Sequence, residues 1–337
     1  MTGERQSNTR TGNGRGQPRP AGVPGPLGRT GGFRVRLGAR IAHASVRGYY
    51  VDFTIKAEDP HWPPPWFGMA AHRMHVVPIQ WALGSYERFL ATGDESWLAG
   101  ARGAGDWLCE EQQRGGRQDG GWIKDFPYKH TYRVAPPWVS GMAQGQGASL
   151  LVRLHLTTGD ERYADAALRA LNPMREPVAA GGVGAELDGG FFPEEYPTDP
   201  PSHVLNGGIF GLWGCRDVAL ALSDPGASEL DTQGTESLAR SLPRYDTGRW
   251  SRYDLYPHPV VNVAHITYHR LHIVQLRAMA AITADPRFER TAARFEQYAA
   301  SRARRADAFA RKALFRVAVP RNQRLARALP WTREAAS

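Results

Sequence analysis

The sequence predicts an all-α fold: an (α/α) toroid, or incomplete barrel, of about four helical hairpins, preceded by a short β element. Three observations predict it. A turn motif recurs four times at near-constant spacing. Glycines gather inside apolar helical stretches rather than only in turns. Apolar residues make up 42 % of the 337, enough to bury a core, yet no run is long enough to cross a membrane.

The turn motif comes first. Thr92-Gly93-Asp94-Glu95-Ser96-Trp97 parallels Thr158-Gly159-Asp160-Glu161-Arg162-Tyr163 and Thr283-Ala284-Asp285-Pro286-Arg287-Phe288, with Ser223-Asp224-Pro225 as a degenerate copy. The aspartates at 94, 160, 224 and 285 are 66, 64 and 61 residues apart. Each ends one apolar stretch and opens another, as an N-cap does when its carboxylate accepts from orphan N–H groups of the next helix. The aromatic three positions on then faces inward. The period fits one helical hairpin plus a long loop. First helices are expected over 69–91, 141–157, 202–222 and 264–282, and second helices over 95–112, 161–171, 228–242 and 286–303. Gly141, Gly145, Gly147, Gly207, Gly208, Gly211 and Gly214 fall in the first, inner set. Each costs about 1 kcal/mol of helix propensity, which close approach of inner helices around an axis would justify. Residues 48–53 alternate enough to predict a short strand leading in. The loops 113–140, 173–201 and 244–263 each precede an inner helix, so they should gather at one mouth. Loops of this length are usually functional.

Charge divides the chain into three. Residues 1–48 carry nine arginines against Glu4, and 301–337 carry nine arginines and Lys312 against Asp307 and Glu334. Each end is therefore +8 in a chain of +9, leaving −7 on 49–300. An acidic body has no phosphate-tracking stripe, so no nucleic-acid partner is expected. The expected organisation is a disordered basic segment (1–48), the helical domain (49–300), and a basic helix over 306–319 ending at Pro320 with a tail (301–337). The ends are read as solvated tails, with contact to an anionic membrane or a partner as the alternative. Cys109 and Cys215 are too few for a disulfide scaffold and read as reduced core thiols. Residues 1–30 have no apolar stretch of a secretory signal. A cytoplasmic protein, peripheral at a membrane if the basic ends engage one, is the simplest expectation, and a homodimer is compatible with it.

Three segments carry candidate chemistry. In Phe191-Phe192-Pro193-Glu194-Glu195-Tyr196-Pro197-Thr198, apolar rings around paired acids would raise a carboxylate toward the range of a general base; surface acids on a proline-rich turn are the alternative. Tyr245-Asp246-Thr247-Gly248 with Tyr253-Asp254-Leu255-Tyr256 is a tyrosine-rich loop, for sugar binding or packing; the second copy that an aspartic protease requires is missing. In 262–275, His265, Tyr268, His272 and Gln275 share one helical face. The histidine spacing has no intervening glutamate or nearby third ligand, so no metal is expected.

These residues carry a family resemblance. From about Trp107 to Tyr298 the sequence resembles the D-glucuronyl C5-epimerase family, enzymes that convert glucuronate to iduronate within heparan-type chains. The carrying stretches are Ser140-Gly141-Met142-Ala143-Gln144-Gly145-Gln146 with Leu151-Val152-Arg153, Glu194-Glu195-Tyr196-Pro197-Thr198, Val204-Leu205-Asn206-Gly207, Tyr245-Asp246-Thr247-Gly248, Tyr253-Asp254-Leu255, and Tyr268-His269 with His272 and Gln275-Leu276. The resemblance implies the family's C-terminal catalytic domain, an (α/α) toroid. It places Glu195 and Tyr268 at the two proton-transfer positions and Tyr196 and Tyr253 at those of supporting tyrosines. The sequence departs from the family pattern at Tyr256, where an arginine is expected, and at His265-Ile266-Thr267, where Arg-Trp-Asp is expected.

The implied reaction inverts C5 of a uronate. Its C–H lies α to a carboxylate, so the site must supply a base, donors for the developing charge and a proton donor on the opposite face. His272, one turn beyond Tyr268, is a candidate donor to the phenol. Gln144, Asn206 and His269 are candidates for the substrate carboxylate, and Trp138 and Trp122 for the sugar faces. No cofactor is expected. The expected substrate is an anionic uronate polysaccharide or a lipid-linked glycan. A polysaccharide lyase, which begins with the same proton abstraction, and a non-catalytic glycan-binding protein are the alternatives. Glu194 and Glu195 are neighbours and cannot flank a glycosidic bond as a hydrolase pair.

Overall fold

The computed structural model describes residues 46–68, 74–129 and 131–320. The expected N-terminal segment falls outside these residues up to position 45, and the end of the basic tail from position 321. Nine of the helices form the frame: α1 (Val76–Thr92), α2 (Glu95–Glu111), α3 (Gly141–Thr158), α4 (Glu161–Arg169), α6 (Leu205–Leu222), α7 (Pro225–Ser241), α8 (Ile266–Thr283), α9 (Pro286–Ala300) and α10 (Arg302–Ala318). A short α5 (Asn172–Arg175) and an antiparallel hairpin, β1 (Gly184–Leu187) and β2 (Gly190–Pro193), interrupt the stretch expected as loop from 173 to 201.

The four hairpins are present where the turn motif places them. Asp94, Asp160, Asp224 and Asp285 each N-cap the second helix of a pair, accepting from the backbone N–H of Ser96, Arg162, Ala227 and Arg287. The aromatic three residues on is buried at Tyr163 and Phe288. First and second helices differ as inner and outer layers should. α3 and α6 are buried almost all round, whereas α4 and α9 bury one stripe only. α1, α3, α6 and α8 pack against one another in that order, each also against its own partner helix. Among the described residues no comparable pairing joins α8 back to α1.

The tightest packing is between α3 and α6. A Cβ on Gly214 would lie 2.3 Å from the Gly145 Cα, and one on Gly145 would lie 2.4 Å from the Phe210 carbonyl oxygen. The other inner-helix glycines make room for loops and side chains instead: Gly147 for the Trp122 ring, Gly208 for Phe192, and Gly207 for Glu195. Glycine therefore serves helix approach at only part of the seam.

The expected strand over 48–53 is not formed. Val51 makes a lone β-bridge, and a 3-10 turn, Thr54–Lys56, follows. The reason is that side chains take the backbone bonds a strand partner would take. Tyr49 N–H donates to Glu87 Oε1 (2.6 Å), and the Gly48 carbonyl accepts from Arg153 Nη2 (2.7 Å). Tyr49, Tyr50, Val51 and Phe53 are then all buried rather than alternating. Arg153 pairs with Asp217 at 2.5 Å, and the Tyr50 hydroxyl donates to the other Asp217 oxygen at 2.6 Å. This buried network ties the segment to α1, α3 and α6. Both cysteines are free thiols, Cys215 buried. The C-terminal helix begins at Arg302, four residues before the expected start, because Ser301 caps it through a bond from the Arg304 N–H.

Gly214→Ala is expected to destabilise by about 1–3 kcal/mol through overpacking, and Asp285→Ala by about 1 kcal/mol through loss of the cap. Urea unfolding of each variant measures both.

Candidate active site

The loops converge where the inner helices start. Neither Ser140 nor Val204 caps its helix with a side chain. Loop carbonyls take those positions: Gly141 N–H donates to the Glu194 carbonyl (2.8 Å) and Leu205 N–H to the Tyr253 carbonyl (3.1 Å). Tyr253 N–H in turn donates to the Asn262 carbonyl (2.7 Å), and Leu255 N–H to the Ser202 carbonyl (3.0 Å). The acid-bearing loop and the tyrosine-bearing loop are thereby laid side by side over the N-termini of α3 and α6. The positive ends of these helix dipoles favour negative charge here.

The paired acids part company in this setting. Glu194 is fully engaged: its carboxylate accepts from the Ser202 N–H (2.9 Å), the Ser202 hydroxyl (2.5 Å) and the His203 N–H (2.9 Å). It holds the 194–203 loop closed. Glu195 is 8 % exposed, and its Oε2 has no hydrogen-bond partner. That oxygen rests where a Cβ of Gly207, in the first turn of α6, would stand at 2.3 Å. Burial pushes the Glu195 pKa up to about 7; the Tyr196 side chain opposes the shift, Glu194 adds to it, and Lys124 opposes it. A carboxyl in this range exchanges protons at neutral pH.

The tyrosines surround this acid. Tyr253 and Tyr268 meet edge to face with centroids 5.1 Å apart. Tyr268 lies in the first turn of α8. The Tyr253 phenol is held well above its ordinary pKa by burial first, then by the nearby charges of Glu195 and Tyr268. Tyr253 thus stands within electrostatic reach of both expected proton-transfer residues. Tyr196 is also raised by burial and then by Glu195, and it stacks on Tyr128 at 4.5 Å. The four expected catalytic positions, Glu195, Tyr196, Tyr253 and Tyr268, therefore fall in one neighbourhood.

The expected binding residues divide. Asn206, next in sequence to the Gly207 that Glu195 rests on, is buried in the first turn of α6 with its Oδ1 unpartnered. Gln144 has no spare capacity. Its Oε1 accepts from Trp122 N–H, and its Nε2 donates to the Gly120 and Ala170 carbonyls. It anchors the 113–140 loop. Trp122 and Trp138 present no face to a sugar: both are buried, with indole N–H groups spent on the Leu108 and Phe126 carbonyls.

His269 and His272 form a relay whose order fixes their roles. His269 Nε2 donates to the Phe295 carbonyl (2.9 Å), which can only accept, and burial lowers its pKa to about 4. Its Nδ1 is then an acceptor, bonded by the Ser251 hydroxyl at 2.7 Å. The Ser251 oxygen accepts in turn from His272 Nδ1 (3.0 Å). His272, held neutral by burial, keeps a bare and unpartnered Nε2. The expectation that His272 donates is thus reversed: it is a hydrogen-bond acceptor. His269, with both ring nitrogens bonded and its ring 3.7 Å from Trp250, is packing rather than a ligand for the substrate carboxylate.

Sequence reasoning missed Lys124. Its backbone pairs with Trp138 in a lone bridge, its side chain is buried, and its Nζ has no hydrogen-bond partner and lies 5.0 Å from the Trp138 ring centroid. Burial lowers its pKa to about 7, and Glu195 pulls the other way. Tyr132 and Asp254 were also missed as a pair; the phenol donates to the carboxylate beneath Tyr196. The available signal was a lysine in the loop between two tryptophans. Nothing local shows that it is buried. Among the described residues no cluster of three His, Cys, Asp or Glu is placed to hold a metal. A cavity of about 490 Å³ at the other end of the bundle, lined by Tyr86, Phe89, Leu156 and Leu220 among others, contains no carboxylate.

Comparison with known proteins finds a family for this part of the chain. The sequence profile of the family described as D-glucuronyl C5-epimerase C-terminus matches residues 116–297, which contain every residue of the site. The chain is 36 % identical over 215 residues to D-glucuronyl C5-epimerase of Caenorhabditis elegans, covering 58 % of this chain and 34 % of that protein. It is 31 % identical over 160 residues to an uncharacterised protein of Methanocaldococcus jannaschii, covering 46 % and 51 %. The chain therefore spans about a third and a half of the curated relatives it matches.

A raised carboxyl pKa makes stability depend on pH. Between the unfolded value near 4.5 and the folded value of about 7, the folded state binds more protons at Glu195, so stability falls as pH rises. Glu195→Gln is expected to be more stable than wild type at pH 8 and little different at pH 4, as thermal unfolding at the two pH values would show.

Proposed function

The chain belongs to the D-glucuronyl C5-epimerase C-terminus family, and from that premise we propose that it is an isomerase inverting C5 of D-glucuronate residues in a heparosan-type polysaccharide or lipid-linked glycan. The observation that carries the proposal is a buried carboxyl, Glu195, whose Oε2 has no hydrogen-bond partner, gathered with the Tyr253 and Tyr268 phenols near the helix N-termini. In this reading the helices form an incomplete barrel of the family's toroid type, with the polymer bound at the mouth loops.

The chemistry follows from the protonation states. Glu195, poised near neutrality, takes the C5 proton as a carboxylate and becomes a carboxylic acid. The electron pair moves into the substrate carboxylate, whose second negative charge develops on oxygen. Lys124 and the N-termini of α3 and α6 are the groups set to stabilise it. A tyrosine hydroxyl on the opposite side, Tyr268 with Tyr253 in support, returns a proton to the other face of C5 and is left as phenolate. The reverse direction runs the same transfers backwards. Tyr196 steadies Glu195, and His272 Nε2 accepts a hydrogen bond from a hydroxyl in the pocket. No atom is exchanged except hydrogen, so neither oxidant nor leaving group is needed.

Incubation with heparosan in D₂O, followed by NMR at C5, tests the proposal. Wild type is expected to incorporate deuterium. Glu195→Gln and Tyr268→Phe are expected to slow it by about 10²–10⁴-fold while remaining folded. An absence of exchange on heparosan and on other glucuronate polymers overturns the reading, and an ultraviolet-absorbing unsaturated product replaces it with a lyase. Because Glu195 must start ionised, the exchange rate is expected to rise as pH increases through about 7.

A further inference from the structure

We propose that α10 is a membrane-docking helix that rests the protein on an anionic bilayer surface. The helix presents two faces. Ala308 and Phe315 point into the protein and are buried. Lys312, on the same side, donates to the Asn262 side chain (2.6 Å) and the Val263 carbonyl (2.9 Å). Opposite, at 100° per residue, lie Ala303, Ala306, Phe309, Ala310, Ala313, Leu314 and Val317. That face holds apolar side chains for four turns, with exposed Arg302 at its start. Phe309 is 75 % exposed, Leu314 57 % and Val317 62 %. A soluble protein rarely leaves such a contiguous stripe open unless something covers it.

Charge selects what covers it. α10 holds Arg302, Arg304, Arg305, Arg311, Lys312 and Arg316 against Asp307 alone. Two copies packed along this stripe would bring both sets of cations together. An anionic lipid surface instead receives the apolar stripe below its headgroups and the arginines at them. The helix lies on the surface rather than crossing it, since no helix among the described residues is long and apolar enough to span. Docking there also places the mouth loops. The inward side of α10 contacts the mouth loops through Lys312 with Asn262 and Arg316 with Thr131 (3.2 Å), so docking holds those loops close to the bilayer. This inference does not depend on the proposed reaction.

The test is flotation of the full chain with vesicles of two parts phosphatidylcholine to one part phosphatidylglycerol, compared with pure phosphatidylcholine. Wild type is expected to bind the anionic vesicles and to lose binding in high salt. Phe309→Glu/Leu314→Glu is expected to abolish binding. Arg302→Ala is expected to weaken it by roughly fivefold, the effect of one arginine near the surface. Arg302, Phe309 and Leu314 are all exposed, and unchanged circular dichroism and Tm confirm the fold. Failure of wild type to bind overturns the proposal. So does binding that survives Phe309→Glu/Leu314→Glu, which would assign it to another basic segment. A dimer in sedimentation velocity that dissolves with the same substitutions overturns it in favour of a second copy.

Discussion

The approach of α3 to α6 governs the rest of the molecule. Gly145 and Gly214 let two helix backbones meet where any side chain would hold them apart. That meeting sets the start of α3 against α6, with Gly141 beside Gly211, and the loops before both helices land close to one another. Because the helices start without side-chain caps, their N–H groups are taken by the carbonyls of Glu194 and Tyr253. The satisfaction of buried backbone groups thus brings the acid loop and the tyrosine loop together.

The two ends of the bundle are built by different rules. At the tight-turn end, aspartate side chains cap the outer helices and the connections are a few residues long. At the other end, backbone caps require long loops, and those loops supply the chemistry. The buried Arg153–Asp217 pair, with Tyr50 and Gly48, anchors the entering chain between α1, α3 and α6. It is fully hydrogen-bonded on the acid side, as a buried ion pair must be to persist. The site is the reverse case. Glu195, Lys124, Asn206 and His272 keep unpartnered polar atoms at low exposure. Such atoms carry a standing desolvation cost, which a bound polar ligand relieves.

Much of this was visible in local sequence patterns. The recurring aspartate turns placed four helix pairs, since a capping carboxylate and a left-handed residue before it (Gly93, Gly159, Ser223 and Ala284) act over two or three residues. Glu195 stood out in an aromatic and proline context and Tyr268 on a polar helical face, while their proton-transfer roles were what the family resemblance implied. The strand over 48–53 was misread because alternation is a weak signal when backbone bonds go to distant side chains such as Glu87 and Arg153. Trp122, Trp138 and Gln144 were misassigned for a related reason. Residue type tells what a side chain can bond, not whether the loop that carries it has already used that capacity.

Periodicity, caps and the presence of an acid beside aromatic rings are properties of neighbouring residues, and the chain's order alone settles them. That Glu194 is spent on hydrogen bonds while burial pushes the Glu195 carboxyl up is a different kind of fact. It depends on Ser202 and His203 bonding one carboxylate, and on Gly207, Lys124 and Tyr196 surrounding the other. The polarity of the Phe295–His269–Ser251–His272 relay likewise comes from a carbonyl on another helix. Desolvation and hydrogen-bond direction arise between segments far apart in the chain, so only their packing decided them.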